Sequence, residues 1–158
     1  MKITAVKTYC LASDLETPFA FSQGWVKRRS ACIVEVQTDA GLTGWGEALC
    51  QGLQPPQIAA AAIESALKPL LIGADPLQIE PLWHRMYMHT RDYGMKGAMI
   101  AAISGVDLAL WDLAGIQSGQ TGELMTNRIA GQFGGVPFKY FGDWTDRIAK
   151  GELPKNKP

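Results

Sequence analysis

The chain has 158 residues, 47% of them hydrophobic, with fifteen Lys and Arg balanced by fifteen Asp and Glu. That length suits one globular domain with a real core, or one domain plus an appendage, and leaves no room for two catalytic domains. The zero formal charge supplies no long-range field for nucleic acid or an anionic membrane, so neither is expected as a partner.

Residues 2 to 12, KITAVKTYCLA, are rich in Ile, Val, Thr and Tyr and predict a first strand. Met1-Lys2-Ile3 enters it without the apolar core of a signal peptide, and no apolar run reads as membrane-spanning. A cytoplasmic location is therefore the expectation. A long loop containing Pro and Gly is expected up to about Arg29. Residues 30 to 38, SACIVEVQT, set Cys32, Val34 and Val36 against Ile33, Glu35 and Gln37, the alternation of a half-buried strand. Asp39-Ala40-Gly41 supplies a turn, and LTGWGEAL, 42 to 49, returns as a third strand, completing a three-stranded antiparallel meander.

The remainder reads as about three helices. PPQIAAAAIESALKPLL, 55 to 71, opens on proline, carries Ile58, Ile63, Leu67 and Leu70 at helical spacing, and ends at Gly73. Asp75 and Pro76 signal the start of a second helix whose stripe is Leu82, Trp83, Met86 and Tyr87. KGAMIAAISGVDLALWDLAGIQ, 96 to 117, is the longest helical pattern, with Ala98, Ala101, Ala102, Ser104 and Gly105 small enough to admit another backbone. After Gln117 the periodic signals become short and interrupted, and LPKNKP reads as an unfolded tail. The fold class is α+β, with one unit over 1–117 and an appended, partly irregular segment over 118–158.

Local chemistry is sparse. Cys10, Cys32 and Cys50 lie in or beside apolar runs with no paired zinc spacing, and read as small buried hydrophobes. His84 and His89 are five apart, about 140° around a helix, where ligation from one face wants four. Gly41, Gly44 and Gly46 do not follow the dinucleotide order, and Ser22 and Cys50 lack a nucleophile motif. Asp107 and Asp112 lie in an apolar helix, so each needs a partner; a metal pair is possible in principle, while an ion pair or a cap on a neighbouring segment is favoured. Glu47, at the end of strand three, is by itself an ordinary solvated carboxylate. No catalytic residue and no metal ligand is assigned.

Two motifs carry more. VQTDAGLTGWGEA and ISGVDLALWDLAG, in a chain that runs meander then helices, together resemble the amino-terminal capping domain of the mandelate racemase and muconate lactonizing enzyme branch of the enolase superfamily, over residues 1 to 117. The resemblance implies lyase or isomerase chemistry, such as that of acid-sugar dehydratases and racemases. In such enzymes a proton beside a carboxylate is abstracted, and magnesium is held by three carboxylates on a (β/α)7β barrel that also carries the bases. The capping domain closes over the barrel mouth. It further implies that TPFAFSQGWVKRR, 17 to 29, and CQGLQ, 50 to 54, face the substrate, with Phe19, Phe21, Trp25 and Gln51 as substrate-binding residues. Lys27 and Arg28 can attract a carboxylate or simply be solvated, Glu47 belongs to the strand end that positions the second loop, and Gly44 and Gly46 allow close packing.

Only 41 residues, 118–158, follow Gln117, whereas a βαβ unit takes roughly 30 and a barrel about 250. No barrel is expected in this chain, hence no cofactor of its own, with Mg2+ expected for the full-length family. The leading expectation is a capping domain inactive alone, whose partner is a missing barrel domain or a second copy and whose acid-sugar substrate requires that barrel. The alternatives are a protein-binding or self-assembling module using the face that would meet a barrel, and an inert gene-fusion product.

Overall fold

The computed structural model describes residues 1–50, 53–94 and 96–119. Three strands, β1 (Ile3–Phe21), β2 (Gly24–Thr38) and β3 (Thr43–Ala48), form an antiparallel sheet in that order. Four helical pieces follow: α1 (Pro56–Ala62), α2 (Lys68–Leu71), α3 (Ile79–Thr90) and α4 (Ala98–Gln117). A π-helical turn, Ile63–Leu67, joins α1 to α2, so the two make one rod. Pro69 explains the wide turn. It has no N–H to donate and its ring would strike the carbonyl four residues earlier, and the Lys68 N–H correspondingly reaches back five residues to the Ile63 carbonyl.

The expected loop from 13 to 29 is a correction: it is strand. β1 and β2 stay paired past Cys10↔Cys32 through Asp14↔Arg28 and, beyond a register shift, through Phe19↔Val26 to Phe21↔Gly24. Residues 15–18 oppose Lys27 alone, and Pro18, which cannot donate to a ladder, lies within this irregular stretch. Ser22 and Gln23 make the turn, and Gly24 follows with φ 145°, a conformation that suits glycine. The breakers that suggest a loop here serve a bulge and a hairpin tip. The second helix also begins later than expected: Asp75 accepts from the Leu77 N–H in a preceding turn, and α3 starts at Ile79.

Register sets the core. On the helix-facing side of the sheet, Val6, Val36 and Gly44 form one row, Thr8, Val34 and Gly46 a second, and Cys10, Cys32 and Ala48 a third. Val6, Val34, Val36 and Cys32 are fully buried there with Ile63, Leu67, Leu71, Met86, Ile103, Val106, Leu110 and Leu113. Of the helices, α4 makes the most extensive contact with the sheet. A methyl placed on Gly44 would lie 2.2 Å from the Ala109 carbonyl oxygen, and one on Gly46 2.0 Å from that of Gly105. One on Gly105 would lie 2.8 Å from the Ala48 nitrogen. Strand and helix therefore pack backbone on backbone, as the glycines suggested, and no side chain fits between them.

Apolar length needs a further correction. The 20-residue α4, which contains an 18-residue window of mean hydropathy 1.6, is long and apolar enough to cross a membrane by length and composition. Its role in the fold is different, since Ala102, Ile103, Gly105, Val106, Ala109, Leu110 and Leu113 are buried against this sheet and its helices. Among the described residues no (β/α) barrel is present; the boundary expected near residue 117 adjoins segment 118–158, of which residues 120–158 lie outside the described residues.

Candidate functional site

The hairpin formed by the distal halves of β1 and β2 extends beyond the helices, and the segment after β3 comes up beside it. Gly24 and Leu53 mark the contact, since a methyl on Gly24 would sit 3.4 Å from Leu53 Cδ1. Between them lies an open cavity of about 540 Å³ whose wall includes Cys10, Trp25, Lys27, Arg28, Leu53 and Gln54, with the Pro55-Pro56 start of α1 as its floor. That volume is in the range, roughly 300–1,000 Å³, of small-molecule sites. The two segments named from sequence thus do converge.

The four sequence-derived site residues fare differently. Trp25 lines the cavity and is 63% exposed. Phe19 and Phe21, 41% and 39% exposed, lie outside its wall. Ala20 pairs with Trp25 and Phe19 with Val26, which puts Trp25 on the opposite face of the arm from the two phenylalanines at that rung, while nearer the sheet the wall takes residues from both faces, Lys27 and Arg28 among them. Phe19 instead lies under the Arg29 guanidinium, 5.0 Å from ring centre to carbon. Gln51 lies outside the described residues.

The cavity's charge is uneven. Arg28 donates to Asp14 at 2.8 Å, and this contact raises the guanidinium and lowers the carboxyl from their ordinary values. Lys27 makes no ion pair among the described residues, so its ammonium is the uncommitted cation of the wall. Gln54 Nε2 is buried and has no hydrogen-bond partner among the described residues. A buried amide donor left unmatched costs free energy, about 1–3 kcal/mol, which a ligand oxygen would recover only once the side chain turns outward into the cavity. Gln54 belongs to the stretch CQGLQ, but nothing in the sequence distinguishes it from Gln51; only the path of the chain into α1 does.

The glycine-rich strand β3 has a different duty. The Trp45 N–H donates to Asp112 Oδ2 at 2.9 Å, so Asp112 is a cap on a neighbouring segment. Burial raises its carboxyl, and the Trp45 N–H partly counters that. Asp107 is half-buried on the same helix and takes part in an interaction of its own. Glu47 projects from the sheet face opposite the helices and is half-buried rather than solvated, with burial pushing its carboxyl up. On that face Glu35 is the hub, accepting from the Tyr9 hydroxyl and from Gln37 Nε2, with Lys7 Nζ at 3.8 Å and the Tyr9 ring 6.0 Å from Trp45. Burial first, and then the Glu35 carboxylate, push the Tyr9 hydroxyl up to about 12. His84 and His89 are exposed on α3, His89 edge-on to Tyr93. Among the described residues no three His, Cys, Asp or Glu side chains converge to hold an ion. They therefore do not fit a magnesium site.

The N-terminal domain model of the mandelate racemase / muconate lactonizing enzyme family matches residues 3–121. D-galactarolactone cycloisomerase of Agrobacterium fabrum is 44% identical over 115 residues, which cover 73% of this chain and 29% of that enzyme. Arabinonate dehydratase of Saccharolobus solfataricus is 46% identical over 81 residues, covering 51% of this chain and 21% of the dehydratase. Among solved structures, a racemase from Streptomyces coelicolor A3(2) with bound magnesium superposes with a TM-score of 0.70 at 31% identity, over 73% of this chain and 32% of the racemase. The chain thus spans less than a third of the length of these relatives.

Proposed function

The chain belongs to the mandelate racemase / muconate lactonizing enzyme family as its N-terminal domain, and from that premise we propose that it is the substrate-specificity cap of an acid-sugar dehydratase, cycloisomerase or racemase. The observation that carries this reading is the meeting of the hairpin arm and the post-β3 segment on one cavity. Trp25 gives that cavity an apolar wall, Lys27 a charge suited to a carboxylate, and Gln54 a donor suited to a sugar hydroxyl or carboxyl oxygen. Phe19 and Phe21 extend the substrate-facing surface on the other side of the arm, and Gln51, outside the described residues, is proposed as a further substrate-binding residue.

In this reading residues 1–117 are one folded unit and 118–158 an appended segment. Metal and bases belong to a (β/α)7β barrel that is the cap's partner, and the 158-residue chain alone does not turn over substrate. Its three free thiols suit a reducing compartment such as the cytoplasm.

Two experiments test it. The purified chain with magnesium and a panel of aldonic and aldaric acids yields no 2-keto-3-deoxy product; turnover by the pure chain overturns the inactive-alone part. Residues 1–117 grafted in place of the first domain of the Agrobacterium fabrum cycloisomerase give an active chimera. In that chimera Trp25→Ala raises KM about tenfold, the equivalent of about 1.4 kcal/mol. A folded, active chimera indifferent to both Trp25→Ala and Lys27→Ala sinks the cap reading. The exposed Phe19, Trp25, Leu49 and Leu53 favour one second reading, self-association through this apolar end. Sedimentation as a strict monomer at high concentration removes it.

A further inference from the structure

Cys10 and Cys32 stand directly opposite each other on β1 and β2. Directly opposed residues of an antiparallel pair have Cα atoms about 4.5 or 5.5 Å apart, and both spacings lie within the disulfide range of roughly 4.4–6.8 Å. Both side chains point to the helix side of the sheet, and the two thiols are close enough to influence each other. Cys10 is half-buried and lines the cavity, whereas Cys32 is completely buried behind it. Solvent therefore reaches one thiol of the pair and the fold presents the other to it. Cys50, the third, is buried beside the pair, held by the Cys32 backbone and donating from its sulfur to the Ala48 carbonyl at 3.5 Å, so it is the competing partner for Cys32.

We propose that Cys10 and Cys32 are an oxidisable cross-strand dithiol, entered through the cavity, that closes to a disulfide when a peroxide is supplied. The Cys10 sulfur attacks one peroxide oxygen, the O–O bond breaks, and Cys10 sulfenic acid and water are formed. The Cys32 sulfur then attacks the sulfenyl sulfur, the S–O bond breaks, and a second water leaves. In sum, two thiols and one hydrogen peroxide give one disulfide and two waters; sulfur is oxidised and peroxide oxygen reduced. Opposed Cβ atoms in a sheet lie about 4.5–5.5 Å apart and a relaxed disulfide wants roughly 3.5–4.5 Å, so the bond draws the strands together and is easily reduced. Burial raises the Cys10 thiol and pushes Cys32 up to about 12, which keeps the thiolate scarce and the attack on peroxide slow, so the pair stays a dithiol unless peroxide is in excess. Once closed, the bond ties the base of the arm where it leaves the helix-backed sheet. It also withdraws the Cys10 thiol from the cavity wall.

The full chain, fully reduced and then treated with hydrogen peroxide, should fall from three titratable thiols to one, with a mass lower by two hydrogen atoms. Mild dithiothreitol should restore all three. Digestion after Lys, Arg and Glu separates Cys32 from Cys50 at Glu35 and Glu47, so peptide mapping of the wild-type chain locates the bond without any variant. The expected cross-link joins Cys10 to Cys32, persists in Cys50→Ala and is absent in Cys10→Ser. A bond from Cys32 to Cys50, an interchain bond, or Cys10 stopping at sulfinic acid with Cys32 still free would each overturn the proposal.

Discussion

The seam between β3 and α4 and the hairpin arm beyond Cys10 are built from similar residue types, glycine and large aromatics, yet they obey opposite rules. In the seam, Gly44, Gly46 and Gly105 are required because carbonyl oxygens occupy the space a side chain would take, and Asp112 ties the Trp45 N–H to the helix. In the arm, Gly24 serves a turn, and Trp25, Phe19 and Phe21 stand largely exposed. One region is committed to its neighbours and cannot change without cost. The other keeps apolar surface uncovered, as a surface kept for a ligand or a second domain would be.

Substitutions can break that contrast, and the most damaging is expected in the seam. Gly46→Val should lower unfolding free energy by about 3 kcal/mol or more, because the obstruction is backbone rather than a movable side chain. Urea denaturation followed by circular dichroism measures it, and a loss below 1 kcal/mol (about a fivefold change in the folding constant) would mean the seam is looser than described. Asp112→Ala comes next, at about 1–3 kcal/mol, since the half-buried Trp45 N–H loses its acceptor. Asp112→Asn, which keeps an acceptor oxygen, should recover part of that loss in the same assay.

Glu47 gives a smaller, pH-dependent effect. Burial raises its folded-state value, so between the unfolded and folded values the native state binds more protons than the unfolded one. Its contribution is most favourable at acid pH and is lost as pH rises through the folded value. Glu47→Gln should therefore raise the denaturation midpoint at neutral pH and flatten that decline, and an unchanged pH profile would show the carboxylate is not penalised. Trp25→Ala should do least to stability, within about 0.5 kcal/mol. A large loss there would move the arm into the same class as the seam.

Much of this contrast is legible in the sequence. Alternation in SACIVEVQT fixes the face of β2, small residues along α4 foretell a close backbone approach, and the two joint motifs point to the family. The arm is not legible. Pro18 and Gly24 are ordinary loop signals, and a bulge of four residues against Lys27 erases the period-two pattern that marks strand. The site suffers from the same cause. Trp25 could be named as an exposed aromatic in a substrate-facing segment, but its separation from Phe19 and Phe21 depends on register, which a one-residue slip would invert. Gln54 and Cys10 reach the cavity only because distant segments meet there, and no local pattern encodes that meeting.

Where the helical rod ends, Gly73 turns with φ 80°, its N–H donates to the Ile3 carbonyl at 2.8 Å, and the Ile3 N–H donates to the Ala74 carbonyl at 2.9 Å. Among the described residues β1 is an outermost strand, and outermost strands recruit foreign ones through their unmatched amides. The rod's last turn thus plugs the start of that border with two bonds of its own, and the bulge at 15–18 spoils its straightness farther along. An intruding chain seeking to lengthen the sheet finds the first rung already taken, which guards the protein against fibrous stacking with no residue set aside for that purpose alone.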